Sequence, residues 1–238
     1  MQKVPVVINN YNRYEPFRKL VTWLKTLPDI SEIVVCDNNS KYPPLVEYYK
    51  QNPDNITIKI YDHNGGHLMP KNLLRDMQVQ DRVIVTDPDL IPYDTTPPDF
   101  IEKLNTIMDK YVGINKVGAG LSINDIPDHY PFAENIRRHE RSLLLEWLPD
   151  GSRKSLIDTT FCLYRCKEAF GNWQAPAIRT ASPYILKHVD WYIDPMQITP
   201  EYAWYMDQCT ESASYAFQLK DWYKLRKINY HTKVVKNE

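Results

Sequence analysis

Glycine is scarce in this chain, with seven in 238 residues against eighteen prolines, and that balance excludes long flexible linkers in favour of rigid connections. Cysteine is also sparse: Cys36, Cys162, Cys166 and Cys209 do not have the spacing of a metal-binding cluster. They read as reduced thiols, as expected of a cytoplasmic protein. No apolar run approaches the roughly 18 residues of a membrane span. The first residues, Met-Gln-Lys-Val-Pro, lack the apolar core of a signal peptide. Neither charge sign dominates, since the net charge is −1, so nothing points to nucleic acid or an acidic membrane surface as a partner. Internal repeats and low-complexity segments are absent as well. The chain is long enough for a sizeable core in one large or two small domains, and it carries seventeen tyrosines.

The most informative stretch is Arg82-Val83-Ile84-Val85-Thr86-Asp87-Pro88-Asp89-Leu90. An unbroken apolar run reads as a buried strand, and it ends in two carboxylates two positions apart. Pro88 disfavours a helical Asp87, so the segment stays extended, and residues i and i+2 of an extended chain project to one side. Asp87 and Asp89 can therefore converge on one point, a pair of hard oxygen donors suited to Mg²⁺ or Mn²⁺.

Earlier strands end in polar residues too. Val4 to Asn9 is a buried strand followed by Asn9-Asn10-Tyr11-Asn12-Arg13. Phe17, Leu20, Val21, Leu24 and Leu27 recur at helical spacing before Pro28. Glu32 to Asp37 is a second strand, ending in Asp37-Asn38-Asn39-Ser40. A helix from Pro44 to Tyr49 follows, then a strand at Ile56 to Ile60 and Asn64-Gly65-Gly66-His67. A short helix at Pro70 to Met77 precedes the strand ending at Asp87. This alternation predicts an α/β fold with a doubly wound, mostly parallel sheet. Right-handed crossovers bring the polar strand ends to one edge, where such sheets bind ligands. Lys71, at a helix start, either faces an anion or is solvated.

The second half is less regular. The spacing predicts a helix over Pro97 to Tyr111, extended structure over Val112 to Ile123, a turn at Asn124 to Pro127 and a helix over Asn135 to Trp147. A strand is expected over Leu156 to Tyr164 and a helix over Glu201 to Phe217, with a loose tail from Lys233 to Glu238. Asp158, near the start of an apolar run, is a costly place for a carboxylate without a partner or a task. Lys187-His188-Val189-Asp190-Trp191-Tyr192 is a dense polar-aromatic cluster.

The first loop, the Asp-Asn-Asn-Ser and Asn-Gly-Gly-His ends and the Asp-Pro-Asp resemble the GT-A glycosyltransferases, most of all glycosyltransferase family 2 and its relatives. The resemblance covers residues 1–110. It implies one GT-A domain over residues 1–238, with a Rossmann-like nucleotide-sugar-binding half at 1–110 and an integrated acceptor-binding half at 111–238. Asn9, Asn10, Tyr11, Arg13 and Asp37 would then hold the donor's base and ribose, and Asn64 and Gly65 would line the nucleotide pocket. Thr86 and Asp87 would also lie against the donor. Asp87 and Asp89 would hold a divalent metal on its diphosphate, completed by His188. Lys71 and Arg179 would face the diphosphate or an acceptor group, although a salt bridge serves Arg179 equally well.

The implied reaction moves a sugar from a nucleoside-diphosphate sugar to a glycan or other hydroxyl acceptor. In the inverting course a carboxylate takes the acceptor proton. Asp158, Asp125 and Asp190 are the candidates. Asp158 is favoured, because apolar surroundings would raise its pKa; a turn role suits Asp125 better. The acceptor signatures Glu-Asp and Gln-x-x-Arg-Trp of many family 2 members are missing, which leaves acceptor and base open. A sugar nucleotidyltransferase would normally carry a glycine-rich loop after the first strand, and here that loop has no glycine. A non-catalytic carbohydrate-binding protein on the same fold is the other alternative. Sugar, nucleotide and oligomeric state are not legible.

Overall fold

The structure is a computed structural model that describes residues 3–77, 81–158, 160–172, 174–209 and 214–235. Its chain order is β1 (Val4–Asn10), α1 (Glu15–Leu24), β2 (Ile30–Asp37), α2 (Pro43–Gln51), β3 (Thr57–Ile60), α3 (Pro70–Asp76), β4 (Val83–Thr86), β5 (Leu90–Pro92), α4 (Phe100–Lys110), β6 (Lys116–Gly118) and β7 (Gly120–Leu121). There follow α5 (Ala133–Leu143), β8 (Leu144–Trp147), β9 (Arg153–Ser155), β10 (Cys162–Tyr164), β11 (Ala177–Arg179), β12 (Ile185–His188), α6 (Pro200–Gln208) and α7 (Ser214–Leu225).

A nine-stranded sheet runs β3-β2-β1-β4-β10-β6-β11-β9-β8. All its strands run the same way except β10 and β9. Strand alternation divides the core between the two faces. Val4, Val6 and Ile8 of β1, Ile33 and Val35 of β2 and Ile84 of β4 pack with Phe17, Leu20, Val21 and Leu24 of α1 and with α4. Val7, Val34, Cys36, Val83 and Val85 point the other way, against Leu73 and Leu74 of α3 and Phe170. A sheet buried on both faces explains why β1, β2 and β4 read as continuous apolar runs.

A small second sheet, β5-β12-β7, hangs from the carboxyl edge of the large one. It was not foreseen, because β5 is three residues long and ends in a proline. It is nevertheless what brings two distant halves of the chain together. Antiparallel pairing sets His188 opposite Leu90, and the Val189 amide donates to the Asp89 carbonyl at 2.8 Å.

Several expected elements differ in extent. The helix expected over Asn135 to Trp147 stops at Leu143, and Leu144–Trp147 turns back as β8 to pair with β9. Gly151, at φ +81°, supplies the reversal. The extended run Val112 to Ile123 splits at Ala119 between two sheets. The strand expected over Leu156 to Tyr164 is confined to Cys162–Tyr164, which leaves Asp158 in irregular chain; Thr159 lies outside the described residues. The helix expected over Glu201 to Phe217 is two helices, α6 and α7, which share a core of Tyr202, Ala203, Met206, Ala216, Leu219 and Tyr223. The Thr199 hydroxyl caps α6 by accepting from the Tyr202 amide at 3.1 Å. Of the expected loose tail, residues 236–238 lie outside the described residues, while Tyr230–Lys233 forms a 3-10 turn.

Candidate active site

A cavity of about 470 Å³ opens at the carboxyl edge of β1, β2 and β4. One wall is built from the strand ends. Asn12 and Asn39 adopt φ of 55° and 61°, a conformation that asparagine tolerates better than most residues. The Asn12 carboxamide oxygen accepts from the Lys41 and Tyr42 amides at 2.6 and 3.0 Å, and the Asn12 amide donates to Ser40 Oγ at 2.8 Å. The β1 and β2 loops are thereby fastened to each other. Asn38 bridges onward, donating to Asn9 Oδ1 at 2.7 Å and accepting from the Gly65 amide at 3.1 Å. Asn9, Asn38, Asn64 and Gly66, bonded to one another, thus form a prearranged rim of the cavity.

Behind this wall lies a charge cluster. Arg13 is only 4% exposed. Its Nη1 stands 2.6 Å from Asp190 Oδ1 and 3.7 Å from Asp89 Oδ2, and its Nε is 3.8 Å from Glu201. The guanidinium also lies over the rings of Tyr205 and Tyr202, 4.8 and 5.3 Å from their centroids. Burial alone would lower the Arg13 pKa, but Asp190 and Asp89 outweigh it and hold the pKa well above the usual guanidinium value. Burial pushes the Asp190 carboxyl up, with Arg13 opposing. His188 Nδ1 lies 3.7 Å from Asp89 Oδ2, and its ring stacks on Trp191 at 4.9 Å between centroids and 10° between planes. Asp89 Oδ1 and His188 Nδ1 are both buried without a hydrogen-bond partner. Such groups are costly to leave unmatched, and both belong to residues on the cavity wall beside Asp87.

Of the residues singled out from the sequence, Asn9, Tyr11, Arg13, Asn64, Asp87, Asp89, Asp158, His188 and Asp190 line the cavity. Others turn elsewhere. Asn10 donates to the Arg13 carbonyl and the Tyr49 hydroxyl inside the protein. Asp37 spends its oxygens on the Ser40 amide and hydroxyl and the Tyr49 hydroxyl, at 2.8, 2.6 and 3.0 Å. Thr86 donates to the Asp87 carbonyl. Gly65 sits behind Gly66, packed on Met69. Lys71 covers Gly171 rather than facing the cavity. Arg179 forms a buried ion pair with Glu140 at 2.9 Å, below the cavity surface.

The expectation for Asp158 also needs correction. Burial would raise its pKa, but Arg179, the Thr160 amide at 3.1 Å and His188 outweigh it, and the carboxyl lies below its ordinary value. Asp158 is surrounded by protein yet keeps an exposed side chain on the cavity lining. Asp125 lies outside the cavity lining, in an exposed network with Ser122, Tyr93 and Tyr192. Burial opposes those three hydroxyl donors, yet they bring its carboxyl down to about 2.

Other lining residues were missed. Asn38 is the immediate neighbour of the chosen Asp37, and in a strand a shift by one position changes the face. Asn135 and His139 on α5, and Tyr215 and Gln218 on α7, left no signal, because a helix flank facing a wet cavity has the same composition as one facing solvent. Among the described residues, no three histidine, cysteine, aspartate or glutamate side chains form a ready-made metal cluster.

No family model matches the sequence, and no curated protein matches it. Solved structures do resemble it. The mannosyltransferase PcManGT from Pyrobaculum calidifontis, in complex with GDP-Man and Mn²⁺, is similar over 86% of this chain and 60% of its own, with 12% identity and a TM-score of 0.51. The glucosyl-3-phosphoglycerate synthase of Mycobacterium tuberculosis matches 70% of this chain and 57% of its own (15% identity, TM-score 0.45). TarS of S. aureus, residues 1–349, matches 79% and 61% (14% identity, TM-score 0.49). The chain thus spans about three fifths of the length of these proteins. With the sheet order, the two-faced core and the cavity at the carboxyl edge, the likeness to the mannosyltransferase establishes that this chain has the GT-A glycosyltransferase fold.

Proposed function

We propose that the chain transfers a sugar from a nucleoside-diphosphate sugar to an acceptor hydroxyl, with a divalent cation bound between Asp87 and Asp89. The observation that carries this reading is that Asp87, Asp89 and His188 all line one cavity, with Asp89 Oδ1 and His188 Nδ1 lacking partners. Two carboxylates and an imidazole fit Mn²⁺ better than Mg²⁺, since Mg²⁺ is held mostly by oxygen. The lack of a closed three-residue cluster is consistent with an ion that takes its remaining ligands from phosphate and water.

When bound, the cation supplies neutralisation of the charge that develops on the departing diphosphate. The protein's residues do the rest. The amide-bearing rim of Asn9, Asn38, Asn64 and Gly66 orients the nucleotide. Arg13 fixes Asp89 and Asp190 in place and tempers their mutual repulsion. Asp158, ionised at neutral pH, accepts the acceptor's proton in an inverting course. The test is a thermal-shift and calorimetric series with UDP, GDP and their sugars. Stabilisation that appears with Mn²⁺ and disappears with chelator is expected. Equal stabilisation with and without metal, or none with any nucleotide, would remove the proposal.

A further inference from the structure

Opposite the strand-end wall, the cavity is closed by the flanks of two helices. On α5, Asn135 and His139 are four residues apart and Ile136 and Glu140 lie beside them; on α7, Tyr215 and Gln218 are three apart. These spacings place each set on one face. The polar groups offered here are carboxamides, an imidazole, a phenol and a carboxylate. The Asn135 oxygen is already taken by Arg138 at 2.6 Å, which leaves its amide as the donating end. The ring of Tyr215 is half-buried and stands edge-on to the stacked His188 and Trp191.

Cationic chemistry is missing from this wall. Among the described lining residues Arg13 is the one guanidinium or ammonium, and it is committed to Asp190, Asp89 and Glu201. Arg138 donates to the Asn135 oxygen from outside the lining, and Arg179 is bound to Glu140. Sites for phosphate or carboxylate are built chiefly from arginine or lysine; the first turns of α5 and α7, through Phe132, Asn135 and Tyr215, reach the cavity but bring neither. Asp158 would repel an anion, while Glu140 and Asp190 are already paired with Arg179 and Arg13. A neutral ring carrying hydroxyls that both donate and accept, with an apolar face for Tyr215 and Ile136, satisfies every group present.

We infer that the wall formed by α5 and α7 is the acceptor site and that it takes an uncharged saccharide, selected by Asn135, His139 and Gln218, rather than a phosphorylated or carboxylated acceptor. The inference rests on the transferase reading above and adds the acceptor class to it.

Isothermal titration calorimetry tests it on the intact protein with Mn²⁺ and UDP or GDP. Methyl glucoside, methyl mannoside, maltose and cellobiose are compared with glucose 6-phosphate, mannose 6-phosphate and glucuronate. Binding by at least one neutral sugar and none of the charged ones is expected. The exposed pair His139→Ala and Gln218→Ala should weaken that binding by about tenfold or more, with the nucleoside-diphosphate titration unchanged. Charged sugars that bind as well as neutral ones, or no neutral sugar bound to nucleotide-loaded protein, would overturn the inference. Neutral sugars held through His139 and Gln218 by a protein that ignores UDP and GDP would support the saccharide wall and overturn the transferase reading.

Discussion

Asp89 and Asp125 are both aspartates set beside a cation and aromatic side chains, yet they are held in opposite ways. Asp125 has no oxygen to spare. Ser122 and Tyr192 donate to Oδ1 at 2.6 and 2.7 Å, Tyr93 donates to Oδ2 at 2.7 Å, and Lys187 stands 3.6 Å away. Asp89 is buried, its nearest cation is 3.7 Å from Oδ2, and Oδ1 has no partner. A saturated carboxylate stabilises local structure, whereas a buried one with an open lone pair carries a cost that is recovered only when something binds. Position also separates Asp37, turned inward to Ser40 and Tyr49, from its neighbour Asn38, which lines the cavity.

The largest effect is expected where proton transfer and an open site coincide, at Asp158. Asp158→Asn should reduce kcat by 10² to 10⁴, the usual contribution of a general base, with nucleotide affinity retained. The pH profile sharpens this. Because the Asp158 carboxyl lies below its ordinary value, protonation that would silence it begins below the range of an ordinary carboxylate. The rate should therefore stay level from neutrality down to about pH 5, above the ordinary carboxylate range near 4. An acid limb centred near pH 6 would assign the base elsewhere.

Asp89→Asn comes next. It keeps the shape and removes the charge, so Arg13 retains Asp190 and the fold should survive. Mn²⁺-dependent nucleotide binding should weaken by about 100-fold, as for a direct ligand, given that even outer-shell partners of a metal are worth 10 to 100-fold. Calorimetry with circular dichroism as a control for folding measures it. Unchanged metal dependence would mean that the open oxygen of Asp89 is not the ion's site, and the contrast with Asp125 would lose its functional meaning.

How much of this was legible beforehand differs between the halves. β1, β2 and β4 stand out because burial on both faces makes each an uninterrupted apolar run, and the polar residues that end them fall at one edge by topology alone. Asp87 and Asp89 follow directly. His188 was found through its polar-aromatic setting and the family resemblance. What puts it beside Asp89 is the pairing of β5 with β12, two short strands that carry no periodicity to detect. The choice of Asp37 over Asn38 turned on a single position, and only the Ser40 and Tyr49 hydrogen bonds resolve it. The helix flanks were invisible for another reason. His139 and Gln218 are exposed, and nothing in composition tells water in a cavity from water outside it.

Asp125→Asn is expected to do the least, which makes it the sharpest control on the comparison. It lies outside the cavity lining, so kcat and nucleotide affinity should change by less than about threefold, within the range of an ordinary surface substitution. Its effect belongs to stability. A carboxyl held at about 2 in the folded protein contributes stability that is present above its unfolded value near 4 and is lost as pH falls toward 2. Because the side chain is exposed, that contribution is discounted to about 1 kcal/mol or less. The variant should therefore melt slightly below the wild type at pH 7, and the gap should close on acidification as the wild-type carboxyl itself becomes neutral. A gap that widened in acid would reverse the sign of the argument. A large loss of activity with an unchanged melting temperature would move Asp125 from the structural side of the comparison to the functional one.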